Sequence, residues 1–231
     1  MEAAKSSILI VDDENGIHEF LTYNLEKADF VVYNAKSGIE GIKIAQEKNP
    51  DIILLDVMMP EMDGIMTCLE LRKIASLNKS FIIFLTARGE DYSQIAGYEA
   101  GGDDYLKKPI APSVLIAKLK QLLIRNKLDN GQTGFEEKII DRGNIVIDTE
   151  KYMVFFNQKE IILPRKEFQL LTILALKPNK VFTREEIFHS IWGENNGSGY
   201  RTIDVHIRKL RKKLGEDIVK TQKGVGYIFQ E

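Results

Sequence analysis

A single cysteine, Cys68, is all the thiol chemistry in this chain. That excludes an internal disulfide framework or a thiolate metal cage, agrees with a reducing compartment, and leaves packing as the expected role of Cys68. Long apolar runs are missing too: each hydrophobic stretch is short and broken by charge, so no membrane span or attachment is expected. The amino terminus reaches Asp12-Asp13 after only a brief Ile/Leu/Val run, too short for a secretory leader. A soluble, cytoplasmic protein is the expectation. Internal repeats are absent, and His18 and His189 have no partners at metal-ligand spacing. Strong net charge is also lacking: the formal value of −2, taken as a whole-chain average, argues against a nucleic-acid partner.

The average conceals two halves. Residues 1–134 carry 15 Lys+Arg against 20 Asp+Glu, a net of −5, whereas residues 135–231 carry 17 against 14, a net of +3. With 231 residues, 44% of them hydrophobic, the chain has material for two small domains with real cores rather than one large one. From Ser7 to about Asn126, short β-type runs (Ile8–Val11, Phe30–Asn34, Ile52–Asp56, Phe81–Leu85, Asp103–Lys107) alternate with segments of helical period that begin near Glu14, Gly38, Gly64, Asp91 and Pro112. This is a (βα)5 pattern. It requires a doubly wound parallel sheet, because each strand returns through a right-handed helical crossover. Residues 127–134, with Asp129-Asn130-Gly131 and Thr133-Gly134, read as a linker between a domain over 1–126 and another over 135–231. The second domain opens with short antiparallel strands (Ile139-Ile140, Ile145–Ile147, Met153–Phe156, Ile161–Leu163). Helices over Arg165–Leu176, Thr183–Trp192 and about Tyr200–Leu214 follow, then a hairpin of Ile218–Thr221 and Tyr227–Phe229 turning through Lys223-Gly224-Val225-Gly226. Three helices closed by a hairpin make an α+β winged helix-turn-helix.

Carboxylates gather where strands end. Ile52-Ile53-Leu54-Leu55 runs into Asp56 with Pro60 close behind, and Ile8-Leu9-Ile10-Val11 runs into Asp12-Asp13. The carboxyl ends of parallel strands are where open α/β sheets place their chemistry. Gathered within several ångströms, such acids repel by about 4 kcal/mol per close pair at an effective dielectric of 20. A hard divalent cation offsets that repulsion, and Mg²⁺ keeps water positions that a phosphoryl oxygen can take. Lys108, held by Pro109 at the next strand end, supplies a second positive charge. Thr86 ends the fourth strand, where its hydroxyl can bond a phosphoryl oxygen. Phosphoryl transfer to the Asp56 carboxylate is the chemistry indicated.

The stretch from Ile8 to about Arg125 resembles a two-component receiver domain through Val11-Asp12-Asp13-Glu14, Leu55-Asp56-Val57-Met58-Met59-Pro60 with Asp63-Gly64, Leu85-Thr86-Ala87 and Asp103-Asp104-Tyr105-Leu106-Lys107-Lys108-Pro109. The whole chain is similar to an OmpR/PhoB-type response regulator. The resemblance implies that a sensor histidine kinase passes phosphate from a phosphohistidine to Asp56. It also implies that Asp13, Asp56 and the backbone carbonyl of Met58 hold Mg²⁺, with Asp12 acting through water. Lys108 rather than Lys107 takes the ion-pairing role. Thr86 and Tyr105 form the switch pair, the ring turning inward after Thr86 moves toward the phosphate. The phosphorylated form is expected to be a homodimer through the fourth helix, fifth strand and fifth helix, using Glu99, Asp103, Asp104 and Lys118. Gln94 and Val114 stand where an arginine and a glutamate are usual, so this contact is expected to lack one ion pair.

In the last helix Ile203, Ile207, Leu210 and Leu214 form one apolar stripe. Asp204 is the only acid among six Lys/Arg between Arg201 and Lys213, where a plain surface helix would alternate signs. Such a helix fits the major groove of double-stranded DNA, where long basic side chains reach phosphates and guanine edges. Candidate contacts are Arg201, His206, Arg208, Lys209 and Arg211, with Val205 against a thymine methyl, Thr221 and Tyr227 on phosphates, and Lys223 in the minor groove. The family text is again similar, over Leu163-Pro164, Glu167-Phe168-Gln169-Leu170-Leu171, Trp192-Gly193, Arg201–Leu214 and Gly224-Val225-Gly226-Tyr227. Pro164 replaces a common threonine at a helix entrance, which a proline tolerates. Lys223 replaces a usual arginine and lacks its planar fork. In the loop of residues 194–199 similar regulators touch RNA polymerase, whereas the small residues here read first as a connector.

Rival classes fare worse. Gly101-Gly102-Asp103-Asp104-Tyr105 is similar to a diguanylate cyclase signature but is consumed by a strand. A haloacid-dehalogenase-type phosphatase needs a second acid where Met58 stands. The main alternative is a DNA-binding regulator whose receiver-like domain answers to a protein partner rather than to phosphate, against which the complete set of phosphorylation residues argues. A phosphate sink with an ordinary basic surface is a third reading, separated from both by salt-sensitive affinity for duplex DNA. No enzyme activity is expected.

Overall fold

The computed structural model describes residues 5–86, 91–131, 138–193 and 200–230, giving only the course of the backbone for 91–95, 124–131 and 201. It divides into two compact units, residues 1–129 and 130–231.

The first unit alternates β1 (Ser7–Val11), α1 (Asn15–Lys27), β2 (Val31–Ala35), α2 (Gly38–Lys48), β3 (Ile52–Asp56), α3 (Gly64–Leu71), β4 (Phe81–Thr86), α4 (Asp91–Ala100), β5 (Asp104–Lys107) and α5 (Pro112–Gly131). All strand pairings are parallel, in the order β2-β1-β3-β4-β5. β3 and β4 are central and buried along their whole length, which is why their text is apolar without alternation. Side chains alternate between faces. Leu9, Val11, Ile53, Leu55, Ile82 and Phe84 join Ala45, Cys68 and Leu71 in one core cluster. Ile8, Ile10, Ile52, Leu54 and Ile83 join Leu21, Leu25, Leu115 and Leu119 in another. Local chemistry sets the helix starts: the Ser37 side chain accepts from Glu40 N–H, and that of Asp63 accepts from Met66 N–H. Strand order reverses between β1 and β3, which opens a crevice above their carboxyl ends.

One boundary differs from expectation. α5 continues through Gly131, so the first part of the expected linker over 127–134, including the polar Asp129-Asn130-Gly131, belongs to the helix. Once a preceding helix carries hydrogen bonding forward, local turn preference is a weak signal.

The second unit has a four-stranded antiparallel sheet of β6 (Ile139–Arg142), β7 (Ile145–Asp148), β8 (Met153–Phe156) and β9 (Lys159–Ile161). Next come α6 (Arg165–Leu176), β10 (Val181–Thr183), α7 (Arg184–Trp192), α8 (Arg201–Leu214), β11 (Val219–Gln222) and β12 (Gly226–Phe229). β10 pairs with β12, so the closing hairpin is a three-stranded sheet in the order β10-β12-β11. The sequence pattern does not show β10, of which only Thr183 falls within the expected helix. Thr183 both ends that strand and begins α7, closing a reciprocal capping box with Glu186. Ile203, Ile207, Leu210 and Leu214 are buried with Leu170, Leu171, Leu174, Ile187 and Ile191, so the apolar stripe of α8 faces the core as expected.

Candidate functional site

At the carboxyl rim of the first sheet, Lys108 stands between two acids. Its ammonium lies 2.8 Å from Asp12 Oδ2, 2.5 Å from Asp56 Oδ1 and 3.7 Å from Glu14 Oε1. Asp12 and Asp56 are buried, at 0% and 6% exposure. Backbone groups fix both carboxylates: Glu14 N–H donates to Asp12 Oδ1 at 3.0 Å and Met58 N–H to Asp56 Oδ2 at 2.8 Å. Gly64 lets α3 start directly against this strand end, since a Cβ there would lie 2.0 Å from the Asp56 carbonyl oxygen. Burial pushes the Asp56 carboxyl above the usual carboxylate range, against the pull of Lys108. Burial also works against the Lys108 ammonium, yet its hydrogen bonds to Asp12 and Asp56 outweigh that and leave it above the ordinary lysine value.

Thr86 is buried at the end of β4. β4 lies beside β3, with Val57 N–H donating to the Leu85 carbonyl at 3.2 Å, and Lys108 N–H donates to the Thr86 carbonyl at 2.8 Å. The three strand ends converge as the sequence implied. Asp13 is exposed on the same rim. Among the described residues no three His, Cys, Asp or Glu side chains are grouped to hold a metal ion. The donors that the resemblance implies are two carboxylates, Asp13 and Asp56, and the Met58 carbonyl. That donor set suits Mg²⁺, which usually takes one or two carboxylates and keeps several waters.

The Tyr105 ring is stacked on that of Phe84 at 5.1 Å between centroids. The expected dimer residues divide. Glu99 is exposed. Asp103 is only 2% exposed and accepts from Arg72 Nη2 at 2.6 Å and Ile82 N–H at 2.8 Å. Its assignment to a dimer face is therefore corrected: it is an internal tie. Asp104 is also buried, and its Oδ2 lies 2.9 Å from Lys118 Nζ of the same chain. Val114 is 60% exposed. The side chain of Gln94 falls outside the described residues.

On α8, helical phase leaves Asp204, Arg208 and Lys212 exposed at intervals of four. Lys209 and Lys213 turn aside to the buried Glu167 of α6, at 3.5 and 2.7 Å. Lys209, expected among the DNA readers, is thus paired within the chain. His206, 1% exposed with its ring 5.6 Å from that of Trp192, is core and not surface, which corrects its assignment. So is Tyr227, 4% exposed. The Tyr227 hydroxyl donates to Asp204 Oδ1 at 2.5 Å, and Arg184 donates to the same carboxylate at 3.1 Å and to Tyr227 Oη at 3.2 Å. Burial and the bond to Asp204 push the Tyr227 phenol up to about 12. Arg211 donates to the Val219 carbonyl and to Thr221 Oγ1, each at 2.8 Å, and so braces the wing. Val205 is partly exposed, and Thr221, Lys223 and Val225 are exposed on the hairpin. Arg201 occupies the first position of α8, with its side chain outside the described residues, as is the whole loop of residues 194–199. Sequence reasoning missed Arg72, Arg184 and Lys212 as working residues. For Lys212 the signal was available, since counting from the apolar stripe puts it on the open face.

Comparison with known proteins matches both units to known families. Residues 8–120 match the response regulator receiver domain, and residues 158–229 match the transcriptional regulatory protein, C terminal, family. The transcriptional regulatory protein SrrA of Staphylococcus aureus is 36% identical over 233 aligned residues, covering 97% of this chain and 95% of SrrA. Among solved structures, a RitR mutant aligns at 27% identity with a TM-score of 0.80, covering 98% of this chain and 99% of that one. The response regulator DrrB of Thermotoga maritima, described as an OmpR/PhoB homolog, aligns at 30% identity and a TM-score of 0.50, covering 99% of this chain and 100% of DrrB. A structure described as belonging to a family of redox sensors in the streptococci that evolved from two-component response regulators aligns at 27% identity and a TM-score of 0.51, covering 98% and 99%.

Proposed function

Because the chain belongs to the OmpR/PhoB-type response regulators, transcription regulators rather than enzymes, we propose that it is switched by phosphorylation of Asp56 by a sensor histidine kinase. The observation that carries this reading is the Lys108 ammonium held between Asp12 and Asp56 at the β3 rim. An Asp56 carboxylate oxygen attacks the phosphorus of a phosphohistidine; the O–P bond forms, the P–N bond breaks, and the imidazole nitrogen keeps the electron pair. Asp13, Asp56 and the Met58 carbonyl would hold Mg²⁺, with Asp12 acting through water. The ion neutralises charge on the phosphoryl oxygens when bound. Lys108 then pairs with the phosphoryl group, and Thr86, in the adjacent strand, hydrogen-bonds to it. Two receivers pair across α4, β5 and α5, with Glu99 and Lys118 at the contact. The open face of α8, with Arg208 and Lys212, enters the major groove, Arg201 is a further contact from the first position of that helix, and Lys223 follows the wing. Pairing brings two winged units to adjacent half-sites by effective concentration, without any new DNA contact.

Incubation with acetyl phosphate and Mg²⁺ is expected to add one phosphoryl group by intact mass and to increase self-association, with Asp56→Asn abolishing both. A wild-type chain that gains no phosphoryl group under these conditions would sink the reading. The alternative, control by something other than phosphate, draws on the solved relative described as a redox sensor. The cysteine of this chain does not favour it, because Cys68 is buried with Sγ 3.5 Å from the Ala100 carbonyl.

A further inference from the structure

His18 is a buried polar group that phosphoryl transfer at Asp56 does not use. α1 buries His18, Leu21 and Leu25 on one face, the spacing of an apolar stripe. An imidazole inside such a stripe costs free energy unless its nitrogens are bonded. Both nitrogens of His18, which is 7% exposed, have partners. Nδ1 lies 2.7 Å from Asn34 Oδ1 of β2, whose amide donates in turn to Thr22 Oγ1 at 3.1 Å, and Nε2 lies 2.7 Å from the backbone carbonyl of Asp12. A carbonyl only accepts, so Nε2 carries the proton of that bond. Asp12 is fully buried, so its carbonyl is closed to water and His18 supplies the donor. The other side of the same residue is also tied, since Asp12 N–H donates to the Ala35 carbonyl at 3.1 Å.

Peptide units are planar, so holding both the N–H and the C=O of Asp12 fixes the two planes that flank it. One plane joins Val11 to Asp12, the other Asp12 to Asp13. With them are set the direction in which Asp12 reaches Lys108 and the point from which Asp13 begins. We infer that His18 is a positioning residue of the acidic rim: by holding the Asp12 carbonyl from α1, it sets where the Asp13 carboxylate leaves the backbone to meet a divalent cation. This rests on the reading of Asp56 as phosphoacceptor with Mg²⁺ beside it, and deepens it. Groups that orient metal ligands without touching the ion change its affinity by about 10–100-fold when removed. Leucine at position 18 would fill the stripe and lose the bonds. Glutamine has an amide N–H at a reach similar to that of Nε2, so it restores the bond to Asp12 without the one to Asn34.

The test uses the full chain with Mn²⁺ alone, which shares the oxygen ligands of Mg²⁺ and whose free form is counted by electron paramagnetic resonance. Asp13→Asn is expected to weaken Mn²⁺ binding and so mark the rim as its place. His18→Leu is expected to raise the Mn²⁺ dissociation constant at least about tenfold, and His18→Gln to stay within about threefold of wild type. Far-UV circular dichroism checks that each variant is folded. Should His18→Leu fail to fold, the wild-type ring decides: a long-range proton–nitrogen spectrum, with the His18 signals assigned by their loss in His18→Gln, is expected to show Nε2 bearing a proton that exchanges slowly with water. An Nε2 without a proton removes the bond to Asp12 and refutes the proposal. So does a folded His18→Leu whose Mn²⁺ affinity stays within about threefold of wild type, or a His18→Gln as weak as His18→Leu. If Asp13→Asn binds Mn²⁺ as wild type does, the ion is not at the rim, and the Mg²⁺ reading falls together with the proposal. If acetyl phosphate adds no phosphoryl group while the Mn²⁺ results are as expected, only the reading of Asp56 as phosphoacceptor falls.

Discussion

Ionising Asp56 works against the fold. Burial raises its pKa, and a carboxyl raised in the folded state contributes stability that is fully present below its unfolded value and lost as pH rises through the folded one. Above that folded value the wild-type chain lacks the contribution. Asp56→Asn removes the penalty and leaves Lys108 with Asp12, so we expect the receiver to melt about 2–5 °C higher than wild type at pH 7. Lowering the pH should narrow the gap, because only the wild type regains stability as Asp56 takes up its proton. Differential scanning calorimetry checks both, and a lower melting temperature in the variant would refute the sign. Asp12, Asp56 and Lys108 were legible in the sequence because each follows an apolar strand run, and strand ends in a parallel sheet meet at one rim. His206 and Tyr227 were not. Whether a polar side chain turns toward Trp192 or toward Asp204 depends on tertiary packing that helical phase alone does not specify.

Between elements, Arg72 holds the first unit together at a place the sequence did not advertise. From the end of α3 it donates to the Gly101, Leu77 and Ser80 carbonyls at 2.9, 3.1 and 2.9 Å, as well as to Asp103. Three segments are thereby tied around one guanidinium, and the Arg72 and Asp103 side chains are 5% and 2% exposed. Breaking such a pair from one side leaves a buried charge unpaired. Arg72→Ala is accordingly expected to destabilise the fold by about 3–5 kcal/mol, read as a lowered urea midpoint. A loss within about 0.5 kcal/mol would mean the pair is not the tie described. The alternation of strands and helices was legible because buried central strands lose their period and the helices keep theirs. The partner of Asp103 was not, since it lies 31 residues away in sequence and nothing local marks it.

For the molecule as a whole, the division into an acidic and a basic half was visible in composition, but the useful part of the positive charge was not. Glu167 sits beneath α8 as an internal counter-ion for Lys209 and Lys213, while Arg208 and Lys212 face outward. The salt dependence of DNA binding counts phosphates neutralised, not formal charge. Arg208→Ala and Lys212→Ala are each expected to reduce the slope of log affinity against log salt by about 1, whereas Lys209→Ala should leave it nearly unchanged; equal effects from all three would contradict this division. Fluorescence anisotropy over a salt series distinguishes these outcomes. With two of its lysines moored from below, α8 is expected, on the function proposed, to meet the double helix with those side chains held in place. Little disorder has then to be frozen out on docking, and discrimination between sites passes to the few side chains left untethered.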